Sequence, residues 1–164
     1  MKSNKWLYIF QSIGGLLFMV NFFMIGSYTG SILNAIGFVR GLILAQGEKW
    51  TKKWIGALVL LAYVSAGVVT LCYVDGGVWS VGGLCSALIT ISGVATTISM
   101  WTRDGKTIRL VNFFVNSPTW LFNNIYYFSW GGIITEVVSL LSVIVSFMRF
   151  GFKGFEDEPS KKSE

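Results

Sequence analysis

Residues 21–35 read NFFMIGSYTGSILNA, and residues 123–137 read NNIYYFSWGGIITEV. Slid on itself by 102 residues, the chain places Asn21 on Asn123, Ser27 on Ser129, Tyr28 on Trp130, Gly30 on Gly132 and Asn34 on Glu136. Matches between apolar stretches arise easily by chance, but these fall on polar and turn positions, where chance agreement is rarer. Each copy is an apolar run, a short turn containing Gly and Ser, and a second apolar run. Tight Gly-containing turns of this kind join antiparallel neighbouring helices. The fold is expected to rest on one helical hairpin used twice.

Outward from the hairpins, the sequence divides into six apolar stretches, at about 6–25, 28–45, 54–74, 78–100, 108–128 and 133–150. A spanning helix needs ~20 predominantly apolar residues, so 164 residues leave room for six such segments and no separate catalytic domain. The composition agrees: 53% of residues are hydrophobic, 13% are charged, and the mean hydropathy is +0.62. A soluble domain carries roughly 25% charged residues to cover its surface. The expected fold class is an all-α polytopic membrane helical bundle of about six transmembrane helices.

Charge gives the orientation. Twelve of the thirteen basic residues fall on one side if each stretch crosses once: Lys2 and Lys5; Lys49, Lys52 and Lys53; Arg103, Lys106 and Arg109; Arg149, Lys153, Lys161 and Lys162. The opposite turns hold no Lys or Arg and a single acid, Asp75. The positive-inside rule then makes both termini cytoplasmic. The net charge of +5 reads as this topology code rather than as a nucleic-acid surface. Trp6, Trp50, Trp54 and Trp101 are expected at the inner interface, and Tyr28, Tyr73, Trp79 and Trp130 at the outer one. The first apolar run is longer than a signal-peptide core and carries Gln11 and Asn21, so it is read as a retained helix. Residues 152–164, FKGFEDEPSKKSE, read as a disordered cytoplasmic tail.

The two hairpins begin four helices apart and so enter the membrane in the same sense, a parallel repeat. Repeat 1 spans about 6–46, a linker helix about 54–74 and repeat 2 about 78–150, all within one transmembrane domain, 1–151. In this arrangement the fourth stretch opens a three-helix second unit, the third restores orientation, and the first unit lacks its opening helix. The design is three-one-three without its first helix.

The stretch FFMIGSYTGSILNAIGFVRG, followed by NNIYYFSWGGIITEVVSLLSVIVSFMRF, resembles the YgjV-like family of bacterial inner-membrane proteins, whose activity is unassigned. The likeness runs from about Trp6 to Phe150. It is carried by the GSYTGSILNAI segment, by Arg40, by Asn124 and by the GGxxxE sequence ending at Glu136. Family members have one more hydrophobic helix before the position of Lys2. Through that family the chain is distantly similar to the SWEET and PQ-loop carriers and the nicotinamide riboside permeases, a likeness of fold that does not fix function.

In a bilayer the informative residues are the polar ones. Arg, Lys or Asp at a helix centre cost ~2.5–3.5 kcal/mol on insertion scales. Arg40, five residues from the inner end of its stretch, either snorkels to headgroups, binds an anionic ligand or fixes a neighbouring helix. Glu136 is either solvated near the outer side or faces the bundle interior, where it can bind a cation or exchange a proton. A direct Arg40–Glu136 pair is not expected, because their backbone positions differ in depth by roughly 9 Å. Asn21, Asn34, Asn112, Asn116, Asn123 and Asn124 serve as interhelical glue or line a polar path. The repeat singles out Asn21, Asn34, Asn123 and Glu136, and the family pattern adds Asn124. Trp120 offers an aromatic surface for packing or substrate stacking. Pro118 is a candidate hinge or a static bend.

These residues, Asn21, Asn34, Arg40, Trp120, Asn123, Asn124 and Glu136, form the candidate substrate site of a small-solute transporter. The alternative is a non-transporting membrane subunit or immunity-type protein that acts through helix contacts, with a partner chain or a second copy. No enzyme is expected, since the chain has no His and no acid, base and nucleophile constellation. Cofactors and metals are likewise not expected: no GxGxxG, GKS/T, CxxC or HExxH motif occurs. Cys72 and Cys85 lie in apolar runs and read as buried thiols rather than as a disulfide.

Overall fold

The computed structural model describes residues 2–47, 50–77, 79–102 and 104–150, and among these it is helical throughout apart from short turns. The helices are α1 (Lys2–Met24), α2 (Tyr28–Ala45), α3 (Lys53–Tyr73), α4 (Val81–Thr102), α5 (Gly105–Val111), α6 (Ser117–Tyr126) and α7 (Trp130–Phe150). A π-helical turn, Asn112–Asn116, joins α5 to α6 without a break, so the described residues form six rods. The tail at 152–164 lies outside the described residues. α2, α3 and α4 are each long and apolar enough to cross a membrane; the apolar helical lengths Tyr8–Met24 and Trp130–Val145 are shorter.

Burial is inverted relative to a water-soluble domain. Among the described residues fourteen polar side chains are buried against eight apolar ones. Phe10, Leu17, Leu61, Val68, Ile91, Ile134 and Val145 all point outward. Water cannot favour such an arrangement, whereas hydrocarbon outside and hydrogen-bonded hydroxyls inside satisfy both surfaces. The buried apolar residues Leu33, Val59, Tyr63 and Ile89 unite α2, α3 and α4.

The two hairpin turns share one backbone pattern at an offset of 102 residues. Ser27 N–H donates to Phe22 C=O at 2.9 Å and Ser129 N–H to Asn124 C=O at 2.8 Å; Ser31 donates to Ser27 and Ile133 to Ser129, both at 2.9 Å. Each chain reversal needs one residue of positive φ. Gly26 supplies it in the first turn (φ 81°) and Phe128 in the second (φ 53°). The second reversal therefore lies ahead of the expected 129–132, and α7 already begins at Trp130. Gly131 and Gly132 are helical instead. A Cβ on Gly132 would strike the Asn124 amide, so that glycine serves close approach of α6 and α7.

Small residues seat α3 on α4, where the sequence places YVSAGVVT and SALITISGVATTIS. A Cβ on Gly93 would enter the Tyr63 ring, one on Gly67 would meet Thr90, and one on Gly56 would meet the Trp101 indole. Trp101 thus packs in this seam at the end of α4, its Nε1 donating to Lys52 C=O at 3.4 Å. Trp50, Trp54, Tyr28, Tyr73, Trp79 and Trp130 do stand exposed near helix ends. Overpacking a close seam costs about 1–3 kcal/mol. Gly93→Val is expected to lower the melting temperature in detergent clearly, and Gly131→Ala, which meets open space, to leave it near wild type.

The fifth rod starts at Gly105, ahead of the expected 108, because Asp104 caps it. Its carboxylate accepts from the Thr107 N–H at 3.0 Å and from the Thr107 hydroxyl, contacts that hold the acid below the usual carboxylate range. Farther on, Ser117 N–H reaches Asn112 C=O, five residues back, in the widened π register. Pro118 has no N–H, and its ring would crowd the carbonyl four residues earlier in an α-helix. The π turn beside it relieves that crowding. Thr119 Oγ1 donates to Val115 C=O at 2.6 Å.

Candidate functional site

A chamber of about 440 Å³ lies within the bundle. α1 contributes Gln11, Gly14, Gly15, Phe18 and Phe22; α2 contributes Asn34, Gly37 and Arg40; α3 and α4 add Tyr63, Gly93, Thr96 and Met100. The far wall is Asn112, Asn116, Trp120 and Asn124 with Thr135, Glu136 and Ser139 of α7. Gly14 and Gly15 on α1 leave the wall without side-chain bulk there. Of the residues expected at a site, Asn34, Arg40, Trp120, Asn124 and Glu136 share this chamber; Asn21 and Asn123 do not line it.

Arg40 turns inward. Its Nη1 donates to Thr97 Oγ1 at 2.8 Å and to Gly93 C=O at 3.4 Å, and its guanidinium carbon lies 5.4 Å from the centre of the Tyr63 ring. That ring face attracts the cation. Thr97 in turn donates to Gly93 C=O at 2.7 Å, which fixes its oxygen as an acceptor for Arg40. The buried Nε has no partner, and no carboxylate balances the charge among the described residues.

Glu136 is half-buried, six residues into α7 and so roughly 9 Å along the helix. That is deeper than its place near Ile133 implied, because α7 starts early. The Ser117 hydroxyl reaches its carboxylate. Ser117 adjoins Asn116, whose Oδ1 accepts from Ser92 Oγ at 2.9 Å and Thr96 Oγ1 at 3.3 Å. Arg40 meets α4 at Gly93 and Thr97. Both charged side chains line the same chamber. No ion pair joins them among the described residues.

The amides divide into two sets. Asn34 Nδ2 donates back to Gly30 C=O at 2.8 Å, leaving its oxygen free of a protein donor in the chamber. Asn124, 2% exposed, also lines the chamber, with its unpartnered Oδ1 buried against Gly132 of α7. Asn21 is glue: its Nδ2 donates to Ser129 Oγ at 2.9 Å and ties the first hairpin to the second turn. The counterpart of that bond at offset 102 would run from Asn123 to Ser27. It is not made: Asn123 is fully buried with neither end of its amide paired, and Ser27 lies beside the Tyr127 hydroxyl. Trp120 packs against Phe22, ring centres 5.4 Å apart, while keeping one side on the chamber. Pro118 points outward.

Three features escaped the sequence reading. Tyr63 looks like one more apolar residue in the most apolar stretch, and only its level against Gly93 marks it. Asn112 and Asn116 were visible as intramembrane amides, but nothing local says they line the same chamber as Arg40 and Glu136. Asp75 was visible only as the one acid in its turns. Its Oδ2 accepts from Thr29 Oγ1 at 2.6 Å and Ser86 Oγ at 2.7 Å, both donors buried, so it clasps the start of α2 to α4.

The chamber thus offers one cation, one carboxylate, several amides and an aromatic face inside an apolar exterior. Compared with known proteins, the chain matches the model of the family Imp-YgjV, a bacterial inner membrane protein, over residues 1–153. No curated protein and no solved structure matches it.

Proposed function

The chain belongs to the Imp-YgjV family of bacterial inner membrane proteins, and on that premise we propose that it is a multi-pass carrier of a small polar solute, with the chamber as its binding site. The observation that carries this reading is the collection of Arg40, Asn34, Asn124 and Glu136, drawn from both hairpins, around one cavity. Polar side chains inside a bilayer are costly, and natural spans keep them where they bind or conduct. A site between two related hairpins is also where repeat-built transporters hold their substrate.

Alternating access in this reading is a rocking of one hairpin against the other, with both termini cytoplasmic. The matching turn geometry supports the relatedness of the hairpins. The one-sided clasp supports two states: Asn21 holds Ser129 while the equivalent Asn123 is free, as expected when one of two alternative contacts is engaged. Binding and passage need no covalent step.

Uptake by purified protein in liposomes tests the proposal. Wild type is expected to accumulate at least one solute from a panel of sugars, nucleosides and amino acids, and Glu136→Gln to transport it at least tenfold more slowly. Absence of uptake and binding across the panel, with a stoichiometric membrane partner co-purifying, would favour a non-transporting subunit instead.

A further inference from the structure

Within the carrier reading, on which this inference rests, the chamber's own charges specify the substrate class. Arg40 lines it with a buried, unpartnered Nε and no balancing carboxylate, and Glu136 lines it with a hydroxyl contact and no basic neighbour. Both side chains line the one chamber, yet they do not pair among the described residues. An unbalanced charge away from water is unfavourable, and two opposite ones relieve each other only if they touch or if something bridges them. Asn34, whose amide N–H donates to Gly30 C=O, adds an acceptor oxygen to the chamber lining.

We propose that the substrate is a zwitterion whose carboxylate meets the Arg40 guanidinium and whose ammonium meets Glu136. The unused guanidinium N–H groups suit a carboxylate, and the Glu136 carboxylate suits an ammonium, which offers three donors and accepts none. A neutral polyol leaves both protein charges uncompensated, and a singly charged solute leaves one. The cavity, about 440 Å³, equals the liquid volume of roughly fifteen waters, room for a free amino acid or a short ω-amino acid but not for a long peptide.

Calorimetric binding to the full chain in detergent tests this with a graded set of probes: glycine, 4-aminobutyrate and 6-aminohexanoate as zwitterions of increasing charge separation, 6-hydroxyhexanoate as the anion, 6-aminohexanol as the cation and glucose as the neutral solute. The best zwitterion is expected to bind at least tenfold tighter than the anion, the cation or glucose, since each charge-assisted contact is worth roughly that factor. Glu136→Gln is expected to weaken that zwitterion at least tenfold while leaving 6-hydroxyhexanoate unchanged. If glucose or a singly charged probe binds tightest, the zwitterion assignment is overturned and the carrier reading stands. If no probe binds and no panel solute is taken up, both fall. The wild-type ranking decides the matter even if the variant fails to fold.

Discussion

Arg40→Gln is expected to weaken solute binding about 30- to 100-fold while shifting the melting temperature little. The affinity loss follows from deleting a charge-assisted contact to the ligand, about 2–3 kcal/mol. The stability term is a near cancellation. The variant loses the Thr97 and Gly93 hydrogen bonds and the attraction to the Tyr63 ring, but it also removes a guanidinium that no carboxylate balances. Deleting an unbalanced charge from an apolar interior is favourable. Arg40→Lys keeps the charge without the planar fork and is expected to lie between wild type and Arg40→Gln in affinity. A purely structural arginine would give the reverse pattern, with a large melting shift and binding that tracks the folded fraction. Calorimetry and thermal melts on the same preparations separate the two.

The second large effect is on stability, at Asp75. Its carboxylate oxygen receives Thr29 and Ser86, each about 1% exposed. Asp75→Leu strands both hydroxyls, at about 1–3 kcal/mol each, so a loss of roughly 2–5 kcal/mol is expected. Asp75→Asn keeps an acceptor oxygen and is expected to cost less. In a background of Thr29→Val and Ser86→Ala the Asp75→Leu change should add little, because the donors it would strand are gone. Additive losses in that cycle would show that Asp75 acts through something other than these hydroxyls. Thermal unfolding in one detergent measures all four variants.

Much of the fold was legible because hydrocarbon imposes a coarse grammar. Runs such as 28–45 have to be helical, and the ends of α2 fall at the residues the sequence indicated. The turn at 129–132 misled because Gly131–Gly132 look like a reversal, whereas Phe128 takes the left-handed φ and Gly132 makes room for Asn124. Nothing local distinguishes a turn glycine from one required by a neighbouring helix. The start of α5 was readable after all, since Asp104 with Thr107 three residues on is a capping pattern. The π turn was not, although Pro118 warned of some irregularity there.

At the site, the offset of 102 residues put Asn34 and Glu136 on equivalent positions, and both line the chamber. The same offset paired Asn21 with Asn123, and neither lines it. Periodicity identifies equivalent positions; which way each side chain turns depends on the helix it meets. Arg40 shows the same gap. Depth along α2 set it apart from Glu136, and no ion pair joins the two among the described residues, but only the inward turn of the stem to Gly93 and Thr97 puts both on one chamber.

The central claim is that the chamber is a solute path reached alternately from the two sides of the membrane. Single cysteines at Asn34 and Ser139, which line the chamber from α2 and α7, in a background of Cys72→Ser and Cys85→Ser, test this with a membrane-impermeant thiol reagent applied to each side of oriented vesicles. The account predicts labelling at both positions from either side, slowed by saturating solute. Labelling from neither side, or from one side alone under every solute condition, would contradict it.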